Sequence, residues 1–482
     1  MLKVTIAEPI PSLNKGEAAI LRGIQEALRM CGNVSLTLYS PSAWINNDRK
    51  RYGDEINLVD GLDLWDSANG YMENPAPRTD MYFLLNWIKL LLFSLLARTS
   101  KKLTRYFIKD KFLLALSDAD VILAGHDGML SSDHFWVVLA ARIMGKPIAL
   151  FGGGNDFEGR INSVRIRKFL KIAIHNAVLC TVRDENTRNS LIANDVAPDR
   201  VRVFPDPAVL LKPCGDERVG EIMRIEDIPN RPGRPLFGLI PVIGGIVYEK
   251  SFSYEADPAG RHGLRIKLWV DLILHLLDTT NAHLVLIPHC IGPTAVFDDR
   301  RMMNDIFKAI PGDRKRITLM RNEYSEGEFK GLMKRCDFVL GERAHALIGA
   351  ASVATPCAAL TVKEDLRMHN IIGGMFKRKL FKLNNPDMES LKKMLTEEWN
   401  NRSATASEMA ARAVLIHSEA LKSAKLLQER LERYFAKTAN LAAGSHITNT
   451  RHDWQTAVAG REDTGADHLP CVALNHNLRK ED

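Results

Sequence analysis

The stretch 337–363, DFVLGERAHALIGAASVATPCAALTVK, narrows the folds open to this chain more than any other. Phe338, Val339 and Leu340 form a short apolar run that suits a buried parallel strand, and Gly341 follows where a strand can turn into a helix. Charge then arrives all at once, with Glu342, Arg343 and His345 in the turn and the first helical residues. Residues 346–354 are mostly small and apolar, which lets a helix pack tightly on a sheet, and a second apolar run at 358–362 closes a strand-helix-strand unit. In open α/β sheets ligands bind beyond the carboxyl ends of the strands, where this pattern puts Arg343 and His345. Unpaired N–H groups and the dipole of a helix start add positive potential, so an anion is the expected ligand class. A surface cap has the same spacing, and both readings stay open on spacing alone.

The same alternation recurs along the chain. Strands are expected at 3–7, 34–39, 120–125, 147–151 and 177–182, then again at 236–240, 282–287 and 317–319, with helical periodicity between them. Polar or glycine-rich turns follow these runs. Asn14, Gly16 and Glu17 come after the first strand, His126 and Asp127 after 120–125, and Gly152 to Asn155 after 147–151. Arg183 follows 177–182, Asp206 lies in the loop 203–208, and His289 follows 282–287. None of these turns is a GxGxxG or Walker pattern, so the nucleotide signal is weak. Two such halves predict an α/β protein of two Rossmann-like domains facing a cleft, similar to the GT-B arrangement. The expected divisions are an N-terminal domain at 1–212, a Pro- and Gly-rich linker at 213–235, a C-terminal domain at 236–383, helices at 384–437 and a disordered tail at 438–482.

At 482 residues the chain exceeds what one core serves, and 46% hydrophobic with 26% charged residues describes a soluble globular protein. The net charge of +7 is modest, and no nucleic-acid partner is expected. Seven cysteines, at 31, 180, 214, 290, 336, 357 and 471, form no CxxC pair and no metal-ligand spacing, so a reducing compartment and no metal are expected. The opening MLKVTIAEPI runs directly into a strand pattern without the regions of a signal peptide, which makes the cytoplasm the expected location.

Near 80–112 lies an apolar and basic helical insertion. Fourteen of the seventeen residues at 81–97 are apolar, and 78–111 holds eight Lys or Arg against two Asp, a net of +6. Such a helix suits the surface of an anionic leaflet, at the inner face of the membrane, and equally suits a core or domain-interface position with a solvated end.

The segment GERAHALIGAASVATPCAAL resembles the Gly-x-Arg-x-His segment of the polysaccharide pyruvyl transferase family, in which a phosphoenolpyruvate-derived group is placed on a sugar. Residues 14–20 resemble that family's opening Asn-x-Gly-Asp loop, with Glu17 where Asp is usual, and His126-Asp127 stand in its glycine-rich turn. Arg183-Asp184 ahead of Ser190, the triplet Asp206-Pro207-Ala208, His289 and Lys363 resemble further family segments, so that the likeness covers roughly residues 1 to 375. It implies a pyruvyl transfer from phosphoenolpyruvate to sugar hydroxyls giving a ketal, with no other cofactor. It also implies that Arg183, Arg343 and Lys363 bind the donor and that His345 is the catalytic acid and base. Ketal formation needs a group that gives and takes protons near neutral pH, and histidine is the side chain that ordinarily does so. Asn14, Gly16, Glu17, Asp127, Asn155, Asp206 and His289 are the remaining cleft candidates. If the basic helix is an anchor, the acceptor is expected to be lipid-linked. A nucleotide-sugar glycosyltransferase of GT-B type and a catalytically silent glycan-binding protein are the alternatives.

Overall fold

The computed structural model of the chain describes residues 1–65, 80–126, 130, 133–154, 164–230, 233–292 and 294–444. Among these residues the short apolar runs become thirteen strands. The first sheet has the order β3 (Asn57–Val59), β2 (Val34–Tyr39), β1 (Leu2–Ile6), β4 (Val121–Ala124), β5 (Ile148–Gly153), β6 (Leu179–Val182) and β7 (Val201–Val203). The second runs β10 (Ile317–Leu319), β9 (His283–Leu286), β8 (Leu236–Ile240), β11 (Phe338–Gly341), β12 (Cys357–Thr361) and β13 (Leu380–Lys382). Every pairing in both is parallel. A parallel sheet covered by helices on both faces must be apolar along each strand, and all four residues of Val121–Ala124 and of Phe338–Gly341 are buried. Strand order reverses beside β1 and again beside β8, which gives each domain a crevice at the carboxyl ends of its central strands.

The two domains share one continuous core. Leu2, Ile24 and Val209 of the first sit in the same apolar cluster as Val339, Leu347 and Ile348 of the second. The helix Lys15–Arg29 makes this junction, lying on the turn Pro207–Leu210 and on the helices Glu326–Arg335 and Ala344–Ser352. Its close approach depends on Gly23, where an added Cβ would lie 1.8 Å from the Pro207 carbonyl oxygen. Polar ties reinforce the contact. Lys15 Nζ meets Glu323 Oε1 at 3.0 Å, Arg22 Nε meets Glu326 Oε1 at 3.0 Å, and Asn370 Nδ2 donates to Asp184 Oδ1 at 2.9 Å.

Several elements differ from the sequence-based expectation. The stretch expected as a linker contains the helix Asp216–Ile225, whose Val219, Ile222 and Met223 are buried while charged residues on the other face make the segment read as polar. The three-residue strands β3 and β13 add one edge strand to each sheet beyond those expected. The last helix, Arg402–Gly444, continues past the expected start of the tail at 438, and residues 445–482 lie outside the described residues. This helix crosses back to the first domain, packing on Ala344–Ser352, on the turn Pro207–Leu210 and on Lys15–Arg29. Met409, Ile416, Ala420, Ala424, Leu427 and Leu431 are the side chains it buries there.

Candidate active site

Arg183 directly follows β6, and its N–H extends the ladder by donating to the Gly153 carbonyl at 2.9 Å. Its side chain turns inward until 1% remains exposed, and Nη1 donates to Asp206 Oδ2 at 2.8 Å. Asp206 is held in turn by the cap of Pro207–Leu210, where Oδ1 accepts from the Ala208 N–H at 2.9 Å. His345 arrives from the other domain on the first turn of Ala344–Ser352, with Nε2 3.5 Å from Asp206 Oδ2 and 3.4 Å from Arg183 Nη1. Gly16 closes the other side of the ring, and a Cβ there would sit 2.7 Å from Nδ1. Burial alone would raise the Asp206 carboxyl, but Arg183 and His345 outweigh it and hold the group well below the usual carboxylate range. Asp206 is therefore an anion shared by an arginine of its own domain and the imidazole of the other.

Arg343 lies beside this cluster and is fixed by a residue that sequence reasoning missed. Its Nε and Nη2 donate to the two oxygens of Asp299 at 3.1 and 2.7 Å, a fork geometry that sets the guanidinium plane. Asp299 also accepts from the Cys290 N–H at 2.9 Å and the Ile243 N–H at 3.3 Å, so one buried carboxylate ties the ends of β8 and β9 to the turn after β11. Arg343 keeps 19% of its side chain exposed. Its neighbour Glu342 is wholly structural, since one oxygen accepts from Arg265 Nη2 at 2.6 Å and from the Val242 N–H at 2.8 Å in the interior.

The opening loop joins the same place. Asn14 Oδ1 accepts from the Gly16 N–H at 3.2 Å while Asn14 Nδ2 donates to Glu17 Oε1 at 2.8 Å, so Glu17 completes the start of the first helix. The Lys15 N–H donates to the His289 carbonyl at 3.1 Å, and Asn14 pairs with Cys290 as an antiparallel bridge between the domains. His289 is buried, and burial together with the charges of Arg343, His345 and Lys15 pushes its pKa well below the ordinary value, leaving a neutral ring. Lys363 stands apart. Its side chain is 67% exposed and meets only Glu364, at 3.9 Å, among the ion pairs of the described residues. Asp127 and Asn155 lie outside the described residues.

A second buried group stands at the β1/β4 crevice. Glu8 Oε2 meets His126 Nδ1 at 2.7 Å and accepts from the Gly125 N–H at 2.7 Å, and its other oxygen meets His134 Nε2. Burial would raise the Glu8 carboxyl, yet the two imidazoles hold it well below the ordinary range. This explains why His126 is accommodated in a glycine-rich turn: its partner is supplied by the loop after β1, 118 positions earlier. The carboxylate is engaged by both rings, and among the described residues no group of three His, Cys, Asp or Glu is arranged to hold a metal ion.

The fold is shared with a UDP-GlcNAc 2-epimerase and a glycosyltransferase of known structure. The UDP-GlcNAc 2-epimerase of Neisseria meningitidis, solved with UDP-GlcNAc, superposes with a TM-score of 0.53 over 90% of this chain and 100% of its own, at 14% identity. A glycosyltransferase of Rickettsia africae superposes with a TM-score of 0.50 over 90% of this chain and 97% of its own, at 11% identity. At such identity the likeness is one of architecture, two Rossmann-like domains of GT-B type. No curated protein matches the sequence significantly. The family model for polysaccharide pyruvyl transferase does match, over residues 14–364, a span that runs from the Asn14 loop through Arg183, Asp206, Arg343 and His345. This chain is thus a transferase belonging to the polysaccharide pyruvyl transferase family.

Proposed function

We propose that this transferase moves the pyruvyl group of phosphoenolpyruvate onto two hydroxyls of a sugar, giving a cyclic ketal and inorganic phosphate. The observation that carries the reading is the meeting of Arg183, Asp206 and His345 from two domains at one buried point. The donor bears a phosphate and a carboxylate on adjacent positions, and Arg343, with its guanidinium plane fixed by Asp299, is the partly exposed cation beside that point. In the first step a sugar hydroxyl gives up its proton as its oxygen bonds to C2 of the enol, and the electron pair of the C2–C3 double bond takes up a proton at C3. In the second, phosphate leaves C2 with its bonding electrons and the other hydroxyl bonds there, releasing its proton. His345 is the group assigned to these proton transfers, and Asp206, 3.5 Å from Nε2, is the carboxylate that pairs with the ring when it carries a proton. Arg183, expected from the sequence to bind the donor, is assigned instead as a positioning residue that acts through Asp206, since its guanidinium is almost fully buried and engaged. Each of the two arginines is paired with an aspartate, so neither leaves a bare charge in the interior.

The experiment is a comparison of ligands on the intact chain. Phosphoenolpyruvate should raise the thermal unfolding temperature, and UDP-sugars should not, because only a ligand of the native state stabilises it. Stabilisation by UDP-sugars alone would replace this reading with the nucleotide-sugar transferase. With phosphoenolpyruvate and sugar acceptors together, phosphate release should accompany a sugar adduct carrying a pyruvate ketal.

A further inference from the structure

The helix Asp80–Thr99 is apolar on two opposite faces. Phe83, Asn86, Leu90, Phe93 and Ser94, three or four residues apart, are buried against the first domain, and Asn86 Nδ2 donates to the Asp63 carbonyl at 2.8 Å. On the outward face Met81, Leu84, Leu85, Ile88, Leu92 and Leu95 recur at the same spacing and are 42% to 62% exposed. The next helix, Lys101–Phe107, adds Leu103, Tyr106 and Phe107, also exposed. An outward apolar face this long exceeds the scattered exposed side chains of an ordinary surface. It is rimmed by cations. Lys89, Lys101, Lys102 and Lys109 are exposed and form no ion pair among the described residues, while Arg105 is paired with Asp118 at 2.9 Å and Lys111 lies 3.9 Å from Asp60.

We propose that this face docks onto an anionic lipid bilayer, with the helix lying in the interfacial plane. Spanning is disfavoured by the packing, because a helix crossing the bilayer would have to pull Phe83, Leu90 and Phe93 out of the domain core. Pairing with a second copy is disfavoured by charge, because a two-fold contact through the apolar face brings the same lysines against each other. Apolar side chains flanked by lysines and aromatic rings suit the acyl boundary and the anionic headgroups together. Asn86 is held by the residues just past β3, so this end of the helix sits at the strand-end edge of the sheet, the edge on which the site opens. A sugar carried on a lipid would enter from that side. Only this last point rests on the reaction proposed above, and docking is tested without it.

The test is flotation of the full chain with vesicles of phosphatidylcholine, alone or mixed with phosphatidylglycerol. The chain should float with the mixed vesicles at low salt, and should be released by high salt. Lys101→Glu with Lys102→Glu, and separately Leu85→Ser with Leu92→Ser, should each weaken binding roughly tenfold or more with an unchanged unfolding temperature. Absence of flotation at low salt would overturn the proposal. So would a concentration-dependent dimer, seen by light scattering, that the leucine substitutions convert to monomer.

Discussion

A methyl group placed on Gly16 would lie 2.7 Å from Nδ1 and 2.8 Å from Cβ of His345, so the first helix of one domain and the imidazole of the other meet where only hydrogen fits. Glycine to alanine inside a helix ordinarily stabilises by roughly 0.5–1 kcal/mol. Here the clash reaches the Cβ, which ring rotation alone does not move. Gly16→Ala should therefore lower the unfolding temperature and kcat together, as read by thermal denaturation and phosphate release. Unchanged values of both would mean that the junction yields freely.

Asp206 gives a prediction with a sign. Its carboxyl is held below the ordinary range in the folded chain, so its contribution to stability is present above the unfolded pKa of about 4 and is lost as pH falls below it. Asp206→Asn leaves Arg183 buried beside a neutral amide and should cost about 3–5 kcal/mol at neutral pH. Urea denaturation from neutral pH downward should show a shallower acid decline in the variant. Glu8 contributes in the same direction and keeps the decline from vanishing.

His345→Ala should reduce kcat by roughly 10²- to 10⁴-fold with the fold intact. His345→Gln retains an amide that can donate to Asp206, so it separates support from chemistry: it should keep the unfolding temperature and still lose the rate. Near-normal kcat with the native pH profile in either variant would remove His345 from the reaction.

Arg343→Lys replaces a forked contact with a single point charge at Asp299. Titration calorimetry with phosphoenolpyruvate should show donor affinity falling roughly tenfold or more. A lysine variant that binds the donor like the parent would exclude Arg343 as the anchor.

What could be read from the sequence followed how local each signal is. Val121–Ala124 and Phe338–Gly341 are continuous apolar runs with glycine behind them, so the strands and the alternation were legible. Arg183, Asp206, Arg343 and His345 stand at strand ends within recognisable segments. Asp299 was not legible, because its role arises only when the turn after β11 meets the end of β9, and in sequence it is one of two adjacent aspartates at a helix start. The partners of Glu8 are likewise set by strand order, with β4 inserted beside β1. Lys363 shows the converse: its place after a strand suits a ligand, yet its side chain is largely exposed to solvent.

The long helix Arg402–Gly444 has a consequence for how the chain is made. Its apolar side chains cover the turn Pro207–Leu210 and Lys15–Arg29, elements that leave the ribosome some two hundred residues or more earlier. During synthesis the first domain therefore emerges with one flank of its core uncovered, and it stays so until nearly all of the second has followed. Vectorial folding of this chain is a two-ended process in which the last segment seals the first, and the nascent chain depends on that flank remaining unengaged in the interval.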